Sequence, residues 1–93
     1  MLYLTSATDT QKVTALDQKS LPFTGDLSAV TVTSDQPTFV GVALGAFTDG
    51  VAVLTLTQGE PGVASVTVTD GTVTATEQVE SYQPVLTTIT IGS

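Results

Sequence analysis

The sequence predicts an all-β sandwich of seven or eight short strands. Thr and Val dominate the composition, with eight Gly and four Pro, and these are residues typical of strands and of the turns between them. Runs of alternating apolar and polar residues recur every 8–12 residues, which is the spacing of a small sandwich. Leu, Ala and charged residues are too sparse for amphipathic helices. The length of 93 residues predicts one domain over residues 1–93.

Residues 1–25 are expected to form an N-terminal arm with the first strands, and residues 26–93 to form the body of the sandwich. The arm contains a short strand around Tyr3, a polar loop over 5–10 and a second strand over 11–16. Both lysines of the chain, Lys12 and Lys19, lie in the arm, where we expect them to face solvent.

Two strands are predicted in the first half of the body. Residues 28–34 alternate, and Asp35-Gln36-Pro37 ends that strand. Residues 38–44 are apolar on both faces, which predicts a central strand or one that is covered on two sides. The Gly45-Ala46 pair that follows predicts a β-bulge.

The next strand covers residues 51–57 and follows a turn at Asp49-Gly50. Its apolar residues recur at every second position, so they are expected to face the core together. These residues are Ala52, Leu54 and Leu56.

The strongest local signal is a β-hairpin over residues 63–79, centred on Asp70-Gly71. Asp-Gly suits a type I′ turn, in which both central residues need a positive φ. The predicted inward residues are Ala64, Val66 and Val68 on the first arm and Val73 and Ala75 on the second. Glu77 falls on the same face, so burial is expected to end there. After Pro84, residues 85–91 predict a last strand with Ile89 and Ile91 on one face.

The composition excludes several functions. The chain has no His, Cys, Trp or Arg, and nine acidic residues against two lysines give a net charge of −7. Phosphate contacts need Lys or Arg, so we expect no nucleic-acid partner and no binding to an anionic membrane. No window approaches the roughly 18 apolar residues of a membrane span. Residues 1–5 lack the basic and apolar regions of a signal peptide, which predicts synthesis in the cytoplasm.

The carboxylates do not form a catalytic pattern, so we expect no enzyme. Most of them lie at predicted turns, where Asp bonds the backbone. Glu77 and Glu80 are the pair that acid–base chemistry would use, but charges that keep a strand edge soluble explain them as well. Calcium is the one plausible metal, through Asp49, Asp70 or Glu60. Because turn chemistry accounts for both Asp-Gly pairs, no metal and no cofactor is expected.

Part of the chain resembles bacterial immunoglobulin-like domains of the invasin and intimin type. The matching segments read Thr48-Asp49-Gly50-Val51-Ala52-Val53-Leu54-Thr55-Leu56-Thr57 and Pro61-Gly62-Val63-Ala64-Ser65-Val66-Thr67-Val68. The resemblance covers about residues 28–80. It departs from the family at residues 1–25, which do not match. It departs again at residues 34–37, where Ser-Asp-Gln-Pro stands in place of the usual Gly-Asn-Pro-Val.

The resemblance implies an immunoglobulin-like β-sandwich with a display or adhesion role and no catalysis. A single acidic module without a signal peptide looks more like a phage capsid decoration protein, located on the virion exterior. Two alternatives stay open. One is an adhesin-type module of a bacterial cell-surface protein, and the other is an immunoglobulin-like protein of the phage tail.

The two ends of the chain are the predicted partner-binding regions. Residues 1–8 and 81–93 carry no charged side chain, and they contain apolar, strand-forming residues. These are Leu2, Tyr3, Leu4, Tyr82, Val85, Leu86, Ile89 and Ile91. Either the two ends pair with each other inside the domain, or they add as strands to another chain. That chain would be the major capsid protein or another copy in a homo-oligomer. Residues 36–48 are also uncharged, and Phe39 there is expected in a buried strand or, alternatively, at a partner contact.

Overall fold

A computed structural model describes residues 1–92. It contains seven strands and no helix within those residues. The strands are β1 Leu2–Leu4, β2 Thr8–Thr14, β3 Thr31–Ser34, β4 Val40–Leu44, β5 Val51–Gln58, β6 Gly62–Thr69 and β7 Thr74–Ser81. Residues 1–25 thus supply two of the strands, although β2 begins three residues earlier than expected. In the described part of the chain, no helix is long and apolar enough to cross a membrane.

The strands form two sheets, a four-stranded sheet in the order β1-β7-β6-β3 and a three-stranded sheet in the order β2-β5-β4. This arrangement confirms the predicted all-β, immunoglobulin-like sandwich, in which the second, fifth and fourth strands face the third, sixth and seventh. One strand differs from the common arrangement. The first strand lies parallel to β7 instead of beside β2, so the outer edge of β2 has no neighbouring strand among residues 1–92.

The core lies between the two sheets and is built from their alternating inward residues. The three-stranded sheet contributes Ala52, Leu54 and Leu56, exposed by 2%, 7% and 1%, as their spacing predicts. Val40 joins them from β4. The four-stranded sheet contributes Leu4, Ala64, Val66 and Val79. The centre of the contact between the two inner faces therefore consists of aliphatic side chains.

The β6–β7 hairpin is present, but its turn is not the predicted type I′. Asp70 has no positive φ, and the strands pair from Thr69 and Thr74, so four residues form the loop. The Asp70 carboxylate accepts bonds from the N–H groups of Thr72 and Val73, at 2.9 and 2.8 Å. This local bonding of the aspartate to its own loop replaces the two-residue turn.

The longer loop explains why the predicted burial on β7 is wrong. A two-residue turn would pair Val66 with Ala75, whereas the observed register pairs Val66 with Glu77. A shift of two residues keeps every side chain on its own face, because the strand period is two. It moves the buried stretch toward the end of β7, however. Val73 and Ala75 are exposed, and burial begins at Val79, beyond Glu77.

The second Asp-Gly pair forms the type I′ turn. Asp49 and Gly50 have φ values of 52° and 78°, and Thr48 and Val51 exchange two backbone hydrogen bonds of 2.8 and 3.0 Å. Three residues, 45–47, lie between Leu44 and Thr48, whereas only residues 52 and 53 lie between their partners Val51 and Leu54. That extra residue falls within 45–47, so the predicted bulge is confirmed.

The strand over 38–44 is not central, so the first of the two predicted alternatives is wrong. It becomes β4, an edge strand that pairs only with β5. Phe39, which lies just before the strand, explains why the sequence is apolar on a second face. The Phe39 ring packs on Gly62, where an added Cβ would lie 2.6 Å from the ring. An aromatic at the rim of the sandwich therefore gives the pattern of a strand that is covered on both faces.

The predicted eighth strand, over 85–91, is absent. Residues 84–92, named here the C-terminal tail, form no strand or turn. Both neighbours that β7 can have are already present, since β1 lies on one side of it and β6 on the other. A chain that leaves β7 at Tyr82 therefore meets no free edge beside it.

Candidate interaction surface

The structure separates the eight predicted partner-binding residues into three groups. Leu4 is 1% exposed and Leu2 packs against the core, so these two side chains stabilise the fold and are not free for a partner. The β1 backbone pairs with β7, from Leu2 opposite Val79 to Leu4 opposite Ser81. The two uncharged ends therefore pair only where Leu4 meets Ser81 and the N–H of Tyr82, and residues 84–92 take no part in that pairing.

The two tyrosines connect the ends by a side-chain contact. The rings of Tyr3 and Tyr82 lie edge to face, with centroids 5.8 Å apart and planes at 88°. Such a pair contributes about 0.5–1.5 kcal/mol beyond the area that it buries. Tyr3 remains 60% exposed and Tyr82 is half-buried. The pair thus marks the place where the tail leaves the sandwich.

The tail carries the other four predicted residues, and all of them face solvent. Val85, Leu86, Ile89 and Ile91 are exposed by 77%, 75%, 78% and 100%. Val85, Ile89 and Ile91 share one face of an extended chain with Thr87, and Leu86 shares the other face with Thr88 and Thr90. The tail is therefore an amphipathic strand sequence without a strand partner among residues 1–92.

Gln58 holds the start of the tail against the sandwich. This role of Gln58 was not predicted from the sequence. Its side-chain amide nitrogen donates hydrogen bonds to the carbonyl oxygens of Leu4 and Tyr82, at 3.0 and 2.9 Å. Tyr82 N–H also donates to Leu4 O at 3.2 Å, and Gln83 donates to the Gln58 side-chain oxygen at 3.1 Å. The sequence does contain an indication of this role, because Gln58 continues the series of inward positions formed by Leu54 and Leu56.

A groove opens along the side of the sandwich between β2 and β7. It has a volume of about 410 Å³, and its floor consists of apolar side chains from both sheets. These are Leu2, Val13, Leu54, Leu56, Val66, Val68 and Val79. The exposed, charged Lys12 and Glu77 also line the groove. The groove is present because the first strand lies beside β7 and leaves this side of the sandwich uncovered.

A second and more polar cleft, of about 590 Å³, lies at the end of the sandwich near the β4–β5 turn. Phe23 and Phe47 contribute its aromatic surface, and Asp26 and Asp49 its carboxylates. Hydrogen bonds from the side chain and backbone of Ser28 lower the pKa of Asp26 below its ordinary value. The Ser28 backbone bond measures 2.8 Å.

The aspartates serve the backbone, as their turn positions predict. Those at 9, 17, 26, 35 and 70 each accept at least one backbone N–H bond. Asp35 reaches across to Ser65 N–H at 2.7 Å, next to the β3–β6 pairing. Within residues 1–92, no three acidic side chains gather as metal ligands would. The calcium candidates Asp49, Asp70 and Glu60 belong to three different loops.

Comparison with solved structures identifies a similar fold. The chain superimposes on part of "Structure of surface layer protein SbsC, domains 4-9" with a TM-score of 0.77 and 24% sequence identity. The match covers 89% of this chain and 13% of that chain, so this chain has the extent of a small portion of the surface-layer protein. No protein-family model and no curated protein matches the chain. The similarity therefore supports the immunoglobulin-like sandwich as a fold.

Proposed function

We propose that this chain is a non-enzymatic structural module that is displayed on an outer surface and contacts other protein through its tail. The observation that carries the proposal is the contrast between the tail and the body. Residues 84–92 are uncharged and exposed, whereas the nine acidic residues all precede them. An exposed, apolar strand sequence is an aggregation hazard unless a partner covers it. The charged body keeps the remaining surface in solvent.

Two settings fit this role. The first is the exterior of a phage capsid, where the tail would bind the major capsid protein or a neighbouring copy. The second is a bacterial cell surface, which is favoured by the fold shared with a surface-layer protein. In both settings the acidic, Thr-rich body faces outward and the tail faces the assembly. A position on the phage tail differs from the first only in its place on the virion.

Immunogold imaging of native virions and of native cell envelopes with an antibody to the sandwich body distinguishes these settings. Label on phage heads supports capsid decoration, label on phage tails supports a place on that part of the virion, and label on envelopes supports the cell-surface role. Label confined to the cell interior would contradict an outer-surface module.

Binding gives a second test of the capsid setting. Purified protein at micromolar concentration is expected to co-sediment with heads and to raise their melting temperature, because a ligand of the assembled state stabilises it. A variant that ends at Gln83 is the control and should do neither. Hydrolytic activity that is lost in the E77Q/E80Q variant would contradict the non-enzymatic role.

A further inference from the structure

We infer that the C-terminal tail of one copy adds as a strand to the outer edge of β2 in a second copy, over the groove between β2 and β7. This inference rests on the proposed function and extends it by naming the partner and both contact surfaces. The contact between copies is the same on a capsid and on a cell surface. Imaging that excludes one of these settings therefore does not contradict the inference.

The edge of β2 offers backbone groups to an added strand. Ala7 and Ala15, at the two ends of β2, both bond toward β5, since Ala7 O accepts from Gln58 and Ala15 N donates to Gly50. In an antiparallel pair, alternate residues bond the partner and those between them point away. The N–H and C=O groups of Thr8, Lys12 and Thr14 therefore face the open edge, together with the C=O of Thr10. The Thr10 N–H donates to the Asp9 carboxylate at 2.9 Å.

The groove provides the side-chain half of the site. Its floor is aliphatic and comes from both sheets, while Val13 faces it from β2 itself. In strand addition, backbone hydrogen bonds supply affinity and alternate side chains fill pockets. The tail has this pattern, because Val85, Ile89 and Ile91 share a face. Residues 85–91 also match the seven residues of β2 in length.

The tail of a second copy fits this edge better than two other occupants. The tail of the same copy points away, since the longest extent of the molecule is 52 Å and eight-residue strands span only about 26 Å. A second β2 edge would bring Lys12 of the two copies close together, and like charges on facing strands are destabilising. The tail is uncharged and meets no such repulsion.

The contact is heterologous, because the tail of one copy meets the groove of the next. Such contacts propagate unless the rotation between copies closes a ring. The protein should therefore form dimers and longer species as its concentration rises, and these should disappear when the tail is removed.

Cysteine cross-linking tests the inference directly, because the chain contains no cysteine of its own. One chain carries Thr88→Cys in the tail, and a second carries Thr10→Cys on the exposed face of β2. A short bismaleimide is expected to join the two chains after mixing. The matched control replaces Thr10→Cys by Thr33→Cys, an exposed position on the edge strand β3 of the other sheet.

Each outcome decides the question. A cross-link between the tail and β2 of different chains, lost when the tail also carries I89K and I91K, supports the inference. Circular dichroism should show the same folded spectrum for that variant. No cross-link, an equal yield with Thr33→Cys, or a cross-link within one chain of the T10C/T88C double variant would overturn it.

Discussion

At the scale of single residues, Gln58 shows how one polar side chain joins the two sheets. It extends from the end of β5 to carbonyl groups on β1 and just after β7, which belong to the opposite sheet. The remainder of the contact between the inner faces is aliphatic and has no direction, because apolar burial depends on area. Gln58 therefore supplies a directional contact at the point where the tail departs.

Replacing Gln58 by Ala is expected to lower the free energy of unfolding by about 1–3 kcal/mol, because the Tyr82 carbonyl loses its side-chain donor and the Leu4 carbonyl keeps only the Tyr82 N–H. Urea denaturation followed by circular dichroism measures the change. Thr57→Ala, at an exposed position on the same strand, is the control and should change little. An equal loss in both variants would assign the effect to strand propensity instead of the hydrogen bonds.

Asp70 gives the protein a stability that depends on pH. Backbone hydrogen bonds from Val73 and Thr72 lower its pKa below the ordinary value of 3.8. A lowered pKa in the folded state stabilises the protein above the unfolded pKa, and this contribution is lost as the pH falls through the folded value. We expect Asp70→Ala to destabilise the protein at pH 7 and the difference from the unmodified chain to shrink below about pH 4.

Urea denaturation of both chains from pH 7 to pH 2 checks this expectation. Glu60→Ala changes a carboxylate in another loop and is the matched control. A difference that stays constant across the whole range would mean that Asp70 acts through its shape and not through its charge.

At the scale of elements, the period-two pattern predicted which side chains share a face, but not how far along each strand burial extends. The inward residues of β5 and of the first half of β6 are those that alternation selects. The predicted burial on the second arm of the hairpin was wrong, because the register of this arm depends on which of two loops forms. Asp-Gly suits both a type I′ turn and an aspartate that bonds its own loop, and residues near in sequence do not decide between them.

Deleting Thr72 and Val73 tests this account of the register. The deletion leaves Asp70-Gly71 as a two-residue loop between Thr69 and Thr74, so the present strand pairing can persist with a type I′ turn. The variant is expected to fold with stability within about 1 kcal/mol of the original, since one favourable turn replaces another. Nuclear Overhauser contacts between Ala64 and Val79 report the pairing, and their loss would show that the longer loop sets the register.

At the scale of the whole molecule, the tail contributes little to the stability of the sandwich. The radius of gyration is 16.1 Å, whereas a compact chain of this length has about 12 Å. The tail side chains are exposed, so they bury little of the area that stabilises the core. The prediction of a strand over residues 85–91 was wrong, because the sequence could not show that β1 takes the place beside β7. That choice lies in contacts between distant parts of the chain.

Ending the chain at Gln83 is therefore expected to change the free energy of unfolding by less than about 0.5 kcal/mol in dilute solution. Small-angle scattering should report a radius of gyration near 12 Å. The chain with I89K and I91K keeps the full length and serves as the control, with unchanged stability and an extended shape. A large loss of stability on truncation would show that the tail packs on its own sandwich.

The parallel pairing of β1 with β7 also determines how the domain bears mechanical tension. The chain enters β1 at Leu2 and leaves β7 after Ser81, at opposite ends of the same short ladder. A force that separates the two ends of the molecule acts along this ladder and shears its hydrogen bonds together, instead of opening them one at a time. The tyrosine contact and the Gln58 bonds lie at the end of the ladder where the chain leaves β7. The hydrogen bonds of the three residues of β1 are therefore the first to resist tension on the two ends of the domain.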